Sequence, residues 1–159
     1  MDKKEFKKAL SNMFKKSGFV CKSNHFYKDI TDETQLVFGL QASNYGSYYY
    51  IEYGYCFKSI CNNPYPKFYE SNLRVGRFCQ ALEYEDWNEE KVCSFEEDLA
   101  KVIETATEIG MREKMDFINC FFQMDRMWFI QGDHTAAYFG MTRNDFRKHF
   151  IDPGCSQPD

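Results

Sequence analysis

The chain has 159 residues, 43% apolar and 28% charged, which fits one domain with a packed core and a solvated surface and excludes a mainly disordered state. Its 20 Lys and Arg against 24 Asp and Glu give a net charge of -4, a field that opposes nucleic acid rather than attracting it. Aromatics are the unusual figure: 16 Phe, 11 Tyr and 2 Trp let a modest chain bury a large apolar area.

Residues 3–16 read as an amphipathic helix. Phe6, Leu10, Met13 and Phe14 fall on one stripe, and Lys3, Lys4, Lys7, Lys8 and Lys15 lie elsewhere on the wheel. Gly18 is placed to take the left-handed conformation that closes such a helix. Residues 19–22 and 24–29 are short strand signals, followed by a turn at 31–33. Residues 35–42 alternate: Leu36, Phe38, Leu40 and Ala42 point one way, and Gln35, Val37, Gly39 and Gln41 the other. Residues 47–57 alternate again, with Tyr49, Ile51, Tyr53, Tyr55 and Phe57 on one face and Tyr48, Tyr50, Glu52, Gly54 and Cys56 on the second.

If residues 43–46 close a hairpin, Ala42 pairs with Ser47, Leu40 with Tyr49, Phe38 with Ile51 and Leu36 with Tyr53. On the second face Gln41 then meets Tyr48, Val37 meets Glu52, and Tyr50 covers Gly39. Residues 58–72 form a long connection with two prolines and no period, the kind of loop that is often functional or mobile. Residues 73–80 read as a strand with a bulge at Gly76, and 83–91 as an acidic linker around Trp87. Ser94 starts a helix through the pattern Ser-x-x-Glu to Glu97. Phe95, Leu99, Val102, Ile103, Ala106 and Ile109 form its buried stripe, and Gly110 ends or bends it. A second helix is expected over 111–124, with Met115, Ile118, Phe121 and Phe122 inward. Residues 127–131 are ambiguous between helix end and strand. Short helices follow at 135–141 and at 144–150, the latter capped by Asn144, and then a frayed tail at 152–159.

Charge is unevenly spread. Residues 1–28 carry eight Lys against Asp2 and Glu5, and residues 83–98 carry eight acids against Lys91. Such blocks are solvated faces, or they meet a charge-matched partner. The seven cysteines have no framework or zinc-ligand spacing, which points to reduced thiols in a cytoplasmic protein with no metal and no cofactor. Cys61 is the expected exposed thiol, and Cys21, Cys79 and Cys120 are expected to be buried and inert. The charged start, MDKKEFKKAL, is not a signal peptide, and the longest uncharged stretch, 34–51, alternates like strands rather than a membrane helix.

Four features, in their order, resemble a bacterial family, the domain of unknown function 4304. They are the basic opening helix ending in Lys-Ser-Gly-Phe at 16–19, the strand LVFGLQAS at 36–43, the Arg-x-Gly-Arg core at 74–77, and Trp87 followed by a capped acidic helix. The resemblance spans roughly residues 1–124. It implies an α+β fold and supplies no activity.

His25, His134 and His149 have no partner that the sequence places beside them. No phosphate loop, dinucleotide fingerprint, nucleophile elbow or His-Glu-x-x-His motif is present. The two candidate binding features are the second face of the hairpin, with Gln35, Gln41, Tyr48, Tyr50 and Glu52, and the pair Arg74 and Arg77, suited to carboxylate or phosphate. Against these stand a helix packed over the tyrosines and ion pairs from the arginines to the acids of 83–98.

The expectation is a single α+β domain over residues 1–151. It has an antiparallel meander of four or five strands, with the N-terminal and C-terminal helices mainly on one face. The leading function is a non-catalytic interaction module, toxin-neutralising or regulatory, with a protein partner or a homodimer; the acidic 83–98 stretch suits a basic partner. The alternative is an enzyme or small-ligand binder with a pocket between the sheet and loop 58–72. Single-strand nucleic-acid binding has stacking residues but no basic groove.

Overall fold

The computed structural model describes residues 1–124 and 128–149. The chain runs α1 (Lys3–Lys16), β1 (Val20–Lys22), β2 (His25–Asp29), β3 (Thr34–Ala42), β4 (Tyr48–Phe57), β5 (Leu73–Arg77), β6 (Leu82–Glu83), α2 (Glu89–Gly110), α3 (Lys114–Phe122), β7 (Phe129–Ile130), α4 (Gly132–Tyr138) and α5 (Arg143–Arg147). All strand pairs are antiparallel, in the order β1-β2-β3-β4-β5-β7, with β6 pairing β4. The fold is α+β as expected. The sheet has seven strands among the described residues rather than four or five, because β6 and β7 are two-residue pairings too short to leave a period.

The helices pack on the first face of the sheet. Phe6 of α1 lies against Tyr49 and edge-on to Trp87, and Phe14 stacks on Phe26 with ring centroids 3.9 Å apart. Such ring pairs each contribute about 0.5–1.5 kcal/mol beyond their buried area. The Tyr55 hydroxyl donates to the Ala106 carbonyl at 2.8 Å and so fixes α2 to the sheet. Phe117 and Phe121 of α3 close on Tyr55, while Tyr138 of α4 stacks on Phe57. One hydrophobic cluster thus runs from Phe6 to Phe146.

The hairpin register differs from the expected one. Ala42 pairs with Tyr49, Leu40 with Ile51, Phe38 with Tyr53 and Leu36 with Tyr55, two residues away from the expected pairing. The loop is wider than four residues: the Ser43 amide donates to the Tyr48 carbonyl at 2.8 Å, and the Ser43 hydroxyl accepts from the Tyr45 amide at 3.0 Å. A slip of two residues keeps every side chain on its own face, so matching apolar sets cannot detect it.

Helix starts also moved. α2 begins at Glu89, with Asn88 as its cap accepting from the Lys91 amide at 2.9 Å; Ser94 lies inside the helix and caps nothing. The expected linker 83–91 is therefore β6, a short 3-10 turn at Tyr84–Asp86 and the first helical turn. Trp87 decides this, because its ring is buried against Phe6 and Phe95 and fixes how the chain enters the helix. α3 is shorter than expected, with Met115 exposed, and α5 is capped by Thr142 rather than Asn144. Residue 127, residue 150 and the tail expected to fray at 152–159 lie outside the described residues.

Candidate binding face

Alternation sends the other half of each strand to the second face. It carries His25 and Tyr27 from β2, Gln35, Val37, Gly39 and Gln41 from β3, and Tyr48, Tyr50, Glu52, Gly54 and Cys56 from β4. Instead of an α-helix, loop 58–72 lies over the middle of this face and carries a single 3-10 turn at Phe68–Glu70. Its anchor is Phe68, which is buried on Tyr27, Val37 and Cys56. The Phe68 ring sits directly on Gly39, where a Cβ would come within 2.2 Å of Phe68 Cδ1. The expected Tyr50 cover on Gly39 is therefore replaced by Phe68, and Gly39 pairs with Glu52 instead.

Arg74 and Arg77 join this face through a bulge. Three residues apart on a regular strand, they would point to opposite sides. Between them Val75 is an extra residue: Gly54 pairs with Arg74, Tyr53 pairs with Gly76, and Gly76 adopts φ +89°. Val75 turns into the core, and both guanidiniums reach the second face. Their partner is not the acidic 83–98 stretch but Glu52. Arg74 Nη2 lies 3.4 Å from Glu52 Oε2 and Arg77 Nε 3.5 Å from Oε1. Glu52 is buried, with its side chain 11% exposed, while Arg77 is 53% exposed.

The guanidinium of Arg77 also lies 3.7 Å from the centroid of the Tyr50 ring, and Tyr50 pairs with Gln41. Arg74 is held between Phe68 and Phe129, with its Nε buried and without a hydrogen-bond partner among the described residues. Five of the seven candidate binding residues, Gln41, Tyr50, Glu52, Arg74 and Arg77, thus form one continuous group across β3, β4 and β5, while Gln35 lies opposite Cys56 at the other end of the face. Tyr48 lies at its edge, half-buried and paired with Glu83. Two guanidiniums face one carboxylate, which leaves an excess positive charge where Arg77 meets solvent.

The pattern did not single out Phe68, Phe129 or His25 as site residues. Phe68 and Phe129 lie in segments without a period, so their face is set only by tertiary contact. His25 alternates with Tyr27, and its facing of Gly39 follows once β2 pairs with β3. Burial, reinforced by the Lys67 charge and opposed by Glu70, holds His25 below the usual imidazole value.

At the other end of the face, loop 58–65 arches over β2 and β3 and leaves a cavity of about 680 Å³. Gln35 Nε2 donates to the Pro64 carbonyl at 3.3 Å and the Tyr27 hydroxyl to the Tyr65 carbonyl at 3.3 Å, which tie the loop down. Lys22 Nζ covers the Tyr65 ring at 3.4 Å. Burial pushes the Tyr27 hydroxyl up to about 12. Asp29, though raised by burial, is held below the usual carboxylate value by bonds from Lys58 and Gln35. All six described cysteines are free thiols: Cys56 is buried, Cys93 exposed, and Cys21, Cys61, Cys79 and Cys120 half-buried. The expected exposed thiol is thus Cys93 and not Cys61, and Cys21, Cys79 and Cys120 are only partly covered; Cys155 lies outside the described residues. Among the described residues no group of three His, Cys, Asp or Glu could hold a metal ion, and no helix is long and apolar enough to cross a membrane.

Residues 10–124 match the family described as a domain of unknown function, DUF4304, and the chain belongs to that family. The matched span begins inside α1 and ends after α3, so it includes the whole second face except Phe129. No curated protein and no solved structure matched the chain.

Proposed function

We propose that the protein is a non-catalytic interaction module, in a regulatory or toxin-neutralising role, that binds a protein partner on the second sheet face. The observation that carries this reading is the row Tyr50–Arg77–Glu52–Arg74 on a face that no described α-helix covers. Tyrosine and arginine are the residues that most often anchor interfaces. Here they are preset: Glu52 and Tyr50 hold Arg77 in place, so little side-chain freedom is lost when a partner's carboxylate docks on it. The exposed acids of 83–98 suit a basic partner on charge alone, but no such preset group supports them. The same reading puts the protein in the cytoplasm, in keeping with the six free thiols among the described residues.

The test uses the wild-type chain, Arg77→Glu, and the double change Tyr48→Ala with Tyr50→Ala as baits in the native host. The double change should cost about 1–2 kcal/mol, because both rings are half-buried and lose only cross-strand packing. A partner retained by wild type and lost from both variants, at nearly unchanged melting temperature, supports the reading. A partner retained equally by all three overturns it.

A second reading, a small-ligand binder, is favoured by the cavity beneath loop 58–65. Its volume of about 680 Å³ lies inside the usual range for ligand pockets. Thermal-shift screening against small metabolites, with Lys58→Ala as control, tests it: stabilisation lost in the variant supports this reading, and no stabilisation by any compound counts against it.

A further inference from the structure

We propose that Cys56 and Cys61 form a dithiol site that exchanges with low-molecular-weight disulfides from the cavity beneath loop 58–65. This is separate from partner docking, which uses the opposite end of the same face.

The geometry begins at the end of β4. Cys56 pairs with Gln35, so its side chain points to the second face, where it is buried. The chain then turns back at once: the amides of Ile60 and Cys61 both donate to the Phe57 carbonyl, at 3.0 and 2.9 Å. Ser59 is held beneath this turn by Glu33, whose carboxylate accepts from the Ser59 amide at 3.2 Å. The reversal returns Cys61 onto the cluster of Tyr27, Val37, Cys56 and Phe68. Both thiols line the same cavity, and Cys61 Sγ donates to the Asn63 carbonyl at 3.3 Å.

The two sulfurs have different surroundings, and this sets their order of action. Cys56 is buried, and burial, the largest effect, together with the adjacent Cys61 pushes its thiol up to about 12. Cys61 is half-exposed at the cavity wall. A deeply buried thiol alone would be inert, and a surface thiol alone would stop at a mixed disulfide. Together they complete an exchange. The Cys61 thiolate attacks one sulfur of the small disulfide; that S–S bond breaks and one thiolate leaves. Cys56 then gives its proton to the thiolate released in the first step and attacks Cys61 Sγ, expelling the second small thiolate, which takes a proton from water. The protein dithiol is oxidised by two electrons, and the small disulfide is reduced to two thiols. The closed loop holds only the four residues between the cysteines, so the bond constrains the unfolded chain little and is reversible rather than structural.

The experiment uses the full reduced chain and excess oxidised glutathione, followed by acid quench, alkylation under denaturing conditions and tryptic mapping. Lys58 lies between the two cysteines, so cleavage there leaves their peptides joined only through a disulfide. The expected result is a joined pair carrying Cys56 and Cys61, separated again by dithiothreitol, while exposed Cys93 ends as a mixed disulfide. Phenylarsine oxide, which bridges neighbouring thiols, should bind one tight equivalent, at least tenfold weaker in Cys61→Ser, a change at a half-exposed position that leaves the core intact. Glutathione remaining on Cys61 with Cys56 still alkylatable, a joined pair other than 56–61, or arsenical binding unchanged in Cys61→Ser would each overturn the proposal.

Discussion

The two faces of the sheet are made by the same strands, residue by residue, and end in opposite conditions. On the first, Leu36, Phe38, Ile51 and Tyr55 are sealed under the helices in a continuous aromatic core. On the second, a single loop supplies the cover, its buried cluster is confined to Tyr27, Val37, Cys56 and Phe68, and beyond Phe68 the surface turns to charge. The difference teaches where this fold stores its stability and where it is free to vary. The first face holds most of the buried apolar area, so the second can carry a buried carboxylate, two arginines and a cavity without losing the fold.

The largest loss is expected for Phe38→Ala. It deletes a fully buried ring that touches Phe14, Phe19 and Tyr53 and should cost about 3–5 kcal/mol in a denaturant series. A loss no larger than that of a second-face tyrosine would mean that the core is not concentrated where the helices pack. Glu52→Ala comes next. It leaves Arg74 and Arg77 facing each other across a buried gap, and about 3 kcal/mol is expected, the low end for breaking a buried pair because Arg77 reaches solvent. If Glu52→Ala melts like wild type, the arginines are not held by Glu52.

Gly39→Ala should cost about 1–2 kcal/mol, within the usual range for overpacking, by displacing the Phe68 ring. Its distinguishing readout is limited proteolysis: cleavage within 58–72 should accelerate while the helices stay protected. The smallest effect is confined to pH. With His25 held below the usual imidazole value, the unfolded chain takes up that proton first, at about pH 6.5. The stability from this group is complete above that pH and is lost as pH falls through the folded-state value. Unfolding curves at pH 7.5 and 5.5 should therefore converge in His25→Gln relative to wild type; an unchanged gap would show that His25 is solvated in the fold.

Elements with strong periodicity were legible. The α1 stripe, the alternation of β3 and β4 and the Leu99–Ile103–Ala106 stripe of α2 all reappear in the core. Gly18 closes α1 with φ +83°, as its position implied. The candidate binding group was legible only in pieces. Gln41, Tyr50 and Glu52 could be placed on one face by period, and Arg74 and Arg77 chosen by type, but nothing local joined the two sets. Their merger depends on β4 pairing with β5 and on the bulge at Val75.

By itself, then, the sequence determined the faces. A period of two assigns each strand side chain to a side whatever the pairing, and a period of 3.6 assigns the stripe each helix must bury. The tertiary structure alone decided the register and the partners. A two-residue slip in the hairpin changes no face, and two adequate caps, Asn88 and Ser94, compete for one helix start. Aperiodic residues such as Phe68 acquire a face only when the chain around them closes. These choices turn on contacts between residues far apart in the chain, above all Trp87 on Phe6 and Phe68 on Gly39, and no local pattern carries the energy of such contacts.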